Sequence, residues 1–256
     1  MSYLSANIVI RALPPPSRGR GFFAPFLFLL ALLFCISSPG RAADVPAPDP
    51  NAATSGPIFD YVIHPPGTYT LYKIKTASDG KVLDTQGRAR ALVDFLGRGK
   101  VTLLSFIYSS CVDPSGCPYA YSVFHQLKTR LQREHPQAAD KVRLVSLSFD
   151  PVRDTPDMLK LYGAQDKAAR NVEWDFLTTA SLQDLIPILD AYGQDVYIDL
   201  DPKTGKPVGT LSHVLKVFLI DRRGIVREIY TASYLQAEVA YNDILTLLLE
   251  DGVALQ

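Results

Sequence analysis

A chain of 256 residues, 47% of them apolar, has material for one ordinary domain with a substantial core. Its 26 basic and 26 acidic residues balance, but the first 42 residues carry four arginines and no acid, leaving 22 basic against 26 acidic residues beyond them. A domain with that net charge of −4 has no electrostatic reason to seek nucleic acid or an anionic membrane surface.

The N-terminus reads as a targeting segment. Arg11, Arg18 and Arg20 precede the apolar run GFFAPFLFLLALLFCI, and small residues follow in SSPGRAAD. A basic region, an apolar region and small residues before a polar start make a secretory signal. Cleavage after Ala42 places Gly40 and Ala42 at the two small-residue positions, so residues 1–42 are expected to be a signal peptide. The alternative is an uncleaved N-terminal anchor, although the run is short for a spanning helix and contains Pro25. Cys35 falls in the segment expected to be discarded. Residues 43–64, rich in Pro, Ala and Ser, are expected to be a flexible linker, and residues 65–256 one domain.

In chain order, TYTLYKI (68–74) alternates as a strand, and 81–96 reads as a hairpin or strand pair before Gly97 and Gly99. VTLLSFIYS (101–109) is apolar almost throughout, as a strand buried on both faces is. After Pro118, the positions Ala120, Val123, Phe124, Leu127 and Leu131 follow helical spacing until Pro136. VRLVSLSF (142–149) is a second buried strand. TPDMLKLYG then starts a helix with Thr155 as N-cap, Pro156 at its first position and Gly163 past its end. VEWDFL is a third strand. SLQDLIPILDAYG is a helix capped by Ser181, with an apolar stripe of Leu182, Leu185, Ile186 and Leu189 and a kink expected at Pro187. HVLKVFLID and IVREIYT flank RRG as a strand–turn–strand, and 234–250 is a closing amphipathic helix. Helices between buried strands, followed by a hairpin, predict an α/β fold: thioredoxin-like, three-layered, with a mixed central sheet, an added N-terminal strand region and a hairpin.

The chemistry concentrates in CVDPSGCP. Cys111 and Cys117 are the two cysteines left after removal of the signal, with five residues between them. Asp113, Pro114 and Gly116 are the favoured residues of a type I turn, which would bring Cys111 back towards Cys117. Cys117 and Pro118 open the next helix, where unpaired amides favour negative charge; a lowered thiol pKa is therefore expected at Cys117. In an oxidising compartment the pair can be a structural disulfide, a redox couple, or two ligands of a soft metal. Of the four histidines, His64, His125 and His135 read as surface or filling groups. His213 stands where a loop enters the apolar strand HVLKVFLID, and a strand-capping role is its plainest reading. Asp150 and Asp154 lie at the neighbouring strand end, and Asp150 is the candidate for ordering the loop or capping a helix. Tyr108, Tyr119 and Tyr121 flank the cysteines as docking or packing groups.

Three segments, VTLLSFIYSSCVDPSGCP, VRLVSLSFDPVRDTPDMLKLYG and LSHVLKVFLIDRRG, give the chain a resemblance to the Sco/SenC family of copper-handling cytochrome oxidase assembly proteins. The resemblance spans residues 100–224 and implies a thioredoxin-like fold, export or membrane anchoring, and copper, as Cu(I) or Cu(II), held by Cys111, Cys117 and His213. The family's pattern has three residues between its cysteines, the first a proline. Here there are five, beginning with Val112, so the DPSG turn must absorb the added length.

What the resemblance implies is an exported metallochaperone, periplasmic or periplasm-facing and anchored. It would deliver copper to the copper site of a respiratory oxidase, or keep that site's thiols reduced. Its partners would be a copper-receiving oxidase subunit or related cuproprotein and a thiol reductant protein, with membrane contact only through the anchor. It would not be an enzyme in the turnover sense. The alternative is a thiol–disulfide oxidoreductase using Cys111 and Cys117 as a redox pair, with no need of His213. A third reading leaves the cysteines as a staple in a binding module.

Overall fold

The computed structural model describes residues 62–164 and 172–255; the expected signal segment and nearly all of the expected linker lie outside them. Ten strands and four α-helices are present among the described residues. The main sheet is mixed, in the order β1 (Lys75–Thr76), β10 (Ile225–Thr231), β9 (Lys216–Ile220), β4 (Val101–Ile107), β5 (Val142–Ser148), β6 (Glu173–Leu177). β4, β5 and β6 run parallel, while β9 is antiparallel to β4 and β10 to β9. This is the expected α/β, thioredoxin-like arrangement.

The core strands form as their composition dictates. All seven residues of β4 are buried, which is why its sequence is apolar except at Thr102 and Ser105. Phe106, Phe218 and Tyr192 meet edge to face or tilted, with ring centroids 5.0–6.0 Å apart. The helices are α1 (Cys117–Glu134), α2 (Pro156–Tyr162), α3 (Leu182–Tyr192) and α4 (Ala237–Glu250). Thr155 caps α2 and Ser181 caps α3, each accepting from the backbone N–H three residues on. Pro187 sits inside α3 without ending it.

Two expectations are corrected. The segment 68–74 is not a strand: sheet pairing begins only where the Ile74 N–H reaches the Val226 carbonyl, 2.9 Å away, and β1 is two residues long. Leu71 is buried, but Tyr72 and Ile74 are exposed, so the alternation there has no second layer to pack against. The strand expected to begin at His213 begins at Lys216 instead. His213 ends a separate hairpin, β7 (Val196–Leu200) with β8 (Pro207–His213), which among the described residues pairs with no other strand. The strand pair expected within 81–96 is present as β2 (Lys81–Leu83) and β3 (Ala89–Ala91).

α1, which carries Cys117, is tied to α4 through charge. Arg130 lies 3.8 Å over the Tyr241 ring and pairs with Glu134 (2.9 Å) and Glu238. Tyr241 donates to Glu134 at 2.8 Å. Hydrogen bonds from Arg133, Arg130 and Tyr241 hold the Glu134 carboxyl down to about 2. A depressed folded pKa contributes stability above the unfolded value of 4.5 and loses it as pH falls towards 2. Glu134→Gln is expected to flatten the acid limb of a stability-versus-pH curve in that window and leave the neutral limb shaped as before; denaturant melts across pH 2–6 check this.

Candidate metal centre

The carboxyl end of β4 is where the chemistry gathers. β5 runs beside β4 in register, Ile107 opposite Ser148, and the Phe149 N–H reaches the Ile107 carbonyl at 2.9 Å. The loops leaving both strands, 108–116 and 149–155, therefore emerge side by side. β9 runs the other way, with Ser105 opposite Val217, so its entrance lies at this same edge. Continuing that register puts His213 level with Ser109. His213, 96 residues after Cys117, is brought beside it where the β7–β8 hairpin ends and the chain enters β9.

The cysteine loop doubles back twice. The Cys111 N–H bonds the Tyr108 carbonyl (3.1 Å), and the Gly116 N–H bonds the Asp113 carbonyl (3.0 Å), closing the expected DPSG turn. Asp113 steadies it by accepting from the Ser115 N–H (3.0 Å) and hydroxyl (2.7 Å). The turn absorbs the added length: the Cys111 Sγ lies 3.4 Å from where a Cβ on Gly116 would stand, folded against the start of α1. Cys117 is the first residue of α1 and is buried, whereas Cys111 is half-buried; both thiols are free, so the disulfide is not formed in this structure.

His213 completes the constellation. Its Nε2 lies 3.8 Å from the Cys117 Sγ. With metal–sulfur and metal–nitrogen bonds of about 2.3 and about 2.0 Å, the values of zinc sites, a trigonal angle separates the two ligand atoms by about 3.7 Å. The contact is thus spaced for a shared ion and is too long for a strong hydrogen bond. The ring is held edge to face by Phe149, centroids 4.7 Å apart, with Tyr108 beyond at 6.4 Å. Its Nδ1 is buried and makes no hydrogen bond. Among the described residues no three His, Cys, Asp or Glu side chains form a finished cage. Cys117 and His213 are set at ligand spacing, while Cys111 is hydrogen-bonded with Tyr108.

The electrostatics correct one expectation. Burial pushes the Cys117 thiol well above its ordinary value, and the Cys111 sulfur beside it adds to the rise. Hydrogen bonds from the backbone at Tyr108 and Cys117 pull the other way and do not win. The helix start therefore does not make Cys117 a ready thiolate, because desolvation outweighs the favourable amides. Burial likewise holds His213 below the usual histidine value, against the opposing Val214 backbone and Asp113 charge, so its imidazole is neutral and available as a ligand. Tyr108 is pushed up to about 12, by burial first and then by its hydrogen bond with Cys111.

The other candidates separate. Asp154, not Asp150, orders the cysteine loop. It is buried and accepts from the Ser109 N–H (2.9 Å), the Ser109 hydroxyl and the Ser148 hydroxyl (2.6 Å), clamping the exit of β4 to the end of β5. Nothing local in the sequence signals this role, since Ser109 and Asp154 are 45 residues apart. Asp150 pairs with Arg153 (3.1 Å), whose other bond goes to the Gly209 carbonyl on β8 (2.8 Å). Arg153 so latches the His213 hairpin to the loop that clamps the cysteines. Because its side chain is half exposed, Arg153→Ala is expected to cost under about 1 kcal/mol of stability. It should, however, broaden the NMR signals of 207–213 while leaving those of β4 sharp. Tyr119 donates to the Leu235 carbonyl (2.6 Å), and Tyr121 packs with His125, Tyr162 and Trp174, so both hold the fold. His64 and His135 lie in neither the cysteine loop nor the hairpin; their rings pack on Tyr69 and Tyr241.

Comparison with known proteins bears on the family and the fold. The family model described as SCO1/SenC matches residues 72–249. No match is found among curated proteins. ScoI of Arabidopsis thaliana, solved with copper bound, superposes with a TM-score of 0.55 at 15% identity, over 68% of this chain and 99% of that one. ScoI of Bradyrhizobium japonicum, also solved with copper bound, gives 0.50 at 25% identity over 66% and 97%. The apo Sco1 protein of Thermus thermophilus gives 0.53 at 21% over 73% and 96%. With the family model covering most of the chain and the fold shared with these structures, the protein belongs to the SCO1/SenC family.

Proposed function

We propose that this protein is a copper-carrying assembly factor for a respiratory oxidase, with copper as its cargo held by Cys111, Cys117 and His213. The observation that carries this reading is the 3.8 Å approach of the His213 Nε2 to the Cys117 Sγ across 96 residues of sequence. An imidazole beside a thiol can activate it, but here burial holds His213 below its ordinary value and pushes the Cys117 thiol above its own, and a buried thiol with a raised pKa is a poor nucleophile. A soft ion reverses the thiol's disadvantage, since binding displaces the proton and couples affinity to pH. Cys111 would exchange its Tyr108 partner for the metal. Copper held on a loop, a helix start and a hairpin end can be passed on without unfolding the core.

Membership of the family and the relative from Bradyrhizobium japonicum with copper bound support this reading. The basic, apolar and small-residue segments at the N-terminus support export to the periplasm, with cleavage after Ala42. Delivery to an oxidase copper subunit, rather than upkeep of its thiols, is favoured by the imidazole.

The test is anaerobic reduction of the chain followed by Cu(I) titration against a chelator. One tightly held equivalent is expected, and His213→Ala should weaken it more than tenfold while thiol exchange with a small disulfide is unchanged. Wild-type and variant proteins that bind copper equally would overturn the assignment and leave the thiol–disulfide reading in its place.

A further inference from the structure

α3 was expected to bury the stripe Leu182, Leu185, Ile186 and Leu189, yet only Leu185 is fully covered. The rest of the stripe faces a cavity of about 590 Å³ between α3 and the β7–β8 hairpin. Ile198 and Leu211 line its far wall, and Phe149, the residue that holds the His213 ring, lines it as well. A volume of this size and an apolar lining with a few polar groups are the features of an occupied site.

Three further observations say what the occupant is. The cavity is lined by the carboxylates of Asp150, Asp190 and Asp195 and by one cation, Arg153, which pairs with Asp150. Among the described residues Asp190 and Asp195 are in no ion pair; the nearby Lys75 and Lys216 reach the Ala191 and Gly193 carbonyls instead, which leaves both carboxylates for a basic partner. Gln194, 2% exposed and also lining the cavity, spends its Nε2 on the Val214 carbonyl (3.0 Å) while its buried Oε1 accepts nothing. An unmet buried acceptor is costly and calls for an N–H donor. Finally, among the described residues β7 and β8 pair only with each other, and although Arg153 takes the Gly209 carbonyl of β8, the two-stranded ribbon keeps an unpaired edge that a third strand can join.

We propose that this groove binds an extended segment of a partner protein, one with apolar side chains flanked by lysine or arginine. The apolar residues fill the space against Ile186 and Ile198, a backbone N–H meets the Gln194 Oε1, and the basic flanks meet Asp190 and Asp195. Bound there, the partner lies one side chain, Phe149, away from His213. The groove and the proposed copper site adjoin but are separate, and occupancy needs no metal.

The test uses the reduced, metal-free full chain, labelled at methyl groups and followed by NMR. The probe is a capped heptapeptide with a Leu-Val-Leu centre and two lysines on each side; the control carries glutamates in place of the lysines. The lysine peptide is expected to shift Ile186, Ile198 and Leu211, and the glutamate peptide to bind about tenfold or more weakly, as charge complementarity requires. The double variant D190K/D195K should lose the preference for lysine while still taking up one equivalent of Cu(I), so that a failure here is distinguishable from a failure of the copper assignment. No shift at these methyls with either peptide, or equal binding of both, overturns the proposal.

Discussion

Replacing Cys117 with serine is expected to remove tight Cu(I) binding, lowering affinity by well over about 100-fold, since disturbing even a partner of a ligand costs 10–100-fold. The expectation follows from where the residue stands. Cys117 lies 3.8 Å from the His213 Nε2 and has the Cys111 sulfur beside it, so it is shared by both halves of the site. Serine is close to cysteine in size and the position opens a helix, so α1 should stay intact; circular dichroism and denaturant melts confirm that the loss lies in the site. Cys111→Ser should also abolish tight binding. His213→Ala should weaken it less than either sulfur does, because a soft ion keeps two thiolates. A Cys117→Ser protein that still takes up one tight equivalent would show that the metal sits elsewhere.

Asp154→Ala is expected to destabilise the fold by about 2–4 kcal/mol, because it leaves the buried Ser148 hydroxyl and the Ser109 N–H without an acceptor. Asp154→Asn keeps one carbonyl acceptor and should cost about 1 kcal/mol. Both should loosen the cysteine loop, because Ser109 is two residues from Cys111 and the Asp154 carboxylate ties it to the end of β5. Copper affinity is expected to fall about 10–100-fold in the alanine variant. Urea melts and chelator competition on the same samples read both effects. An alanine variant with wild-type stability would mean that the clamp holds nothing.

Much of the fold is legible in the sequence because burial and periodicity coincide. The runs that become β4 and β5 are largely apolar and almost wholly buried, and the residues spaced for α1's inner face are among the ones it buries. The DPSG turn forms because its side chains prefer that backbone. The β7–β8 hairpin escaped notice because most of its residues are half-buried or exposed, so no clear alternation marks it. The segment 68–74 misled for the opposite reason, alternating where only Leu71 and Tyr69 find packing. The site divides in the same way. Two cysteines on one turn announce themselves, but the place of His213 follows from the antiparallel register of β9 on β4. That of Asp154 follows from the side-by-side exit of two parallel strands. The thiol pKa was misjudged because a helix start can be read locally, while the burial that outweighs it depends on the whole fold.

X-ray absorption on the Cu(I)-loaded, reduced chain tests the central claim most directly, because it counts the atoms around the metal. The account predicts two sulfur ligands near 2.3 Å and one imidazole nitrogen near 2.0 Å, about the bond lengths of comparable sites, with the nitrogen lost in His213→Ala. A spectrum with sulfur alone, unchanged by that substitution, would contradict it.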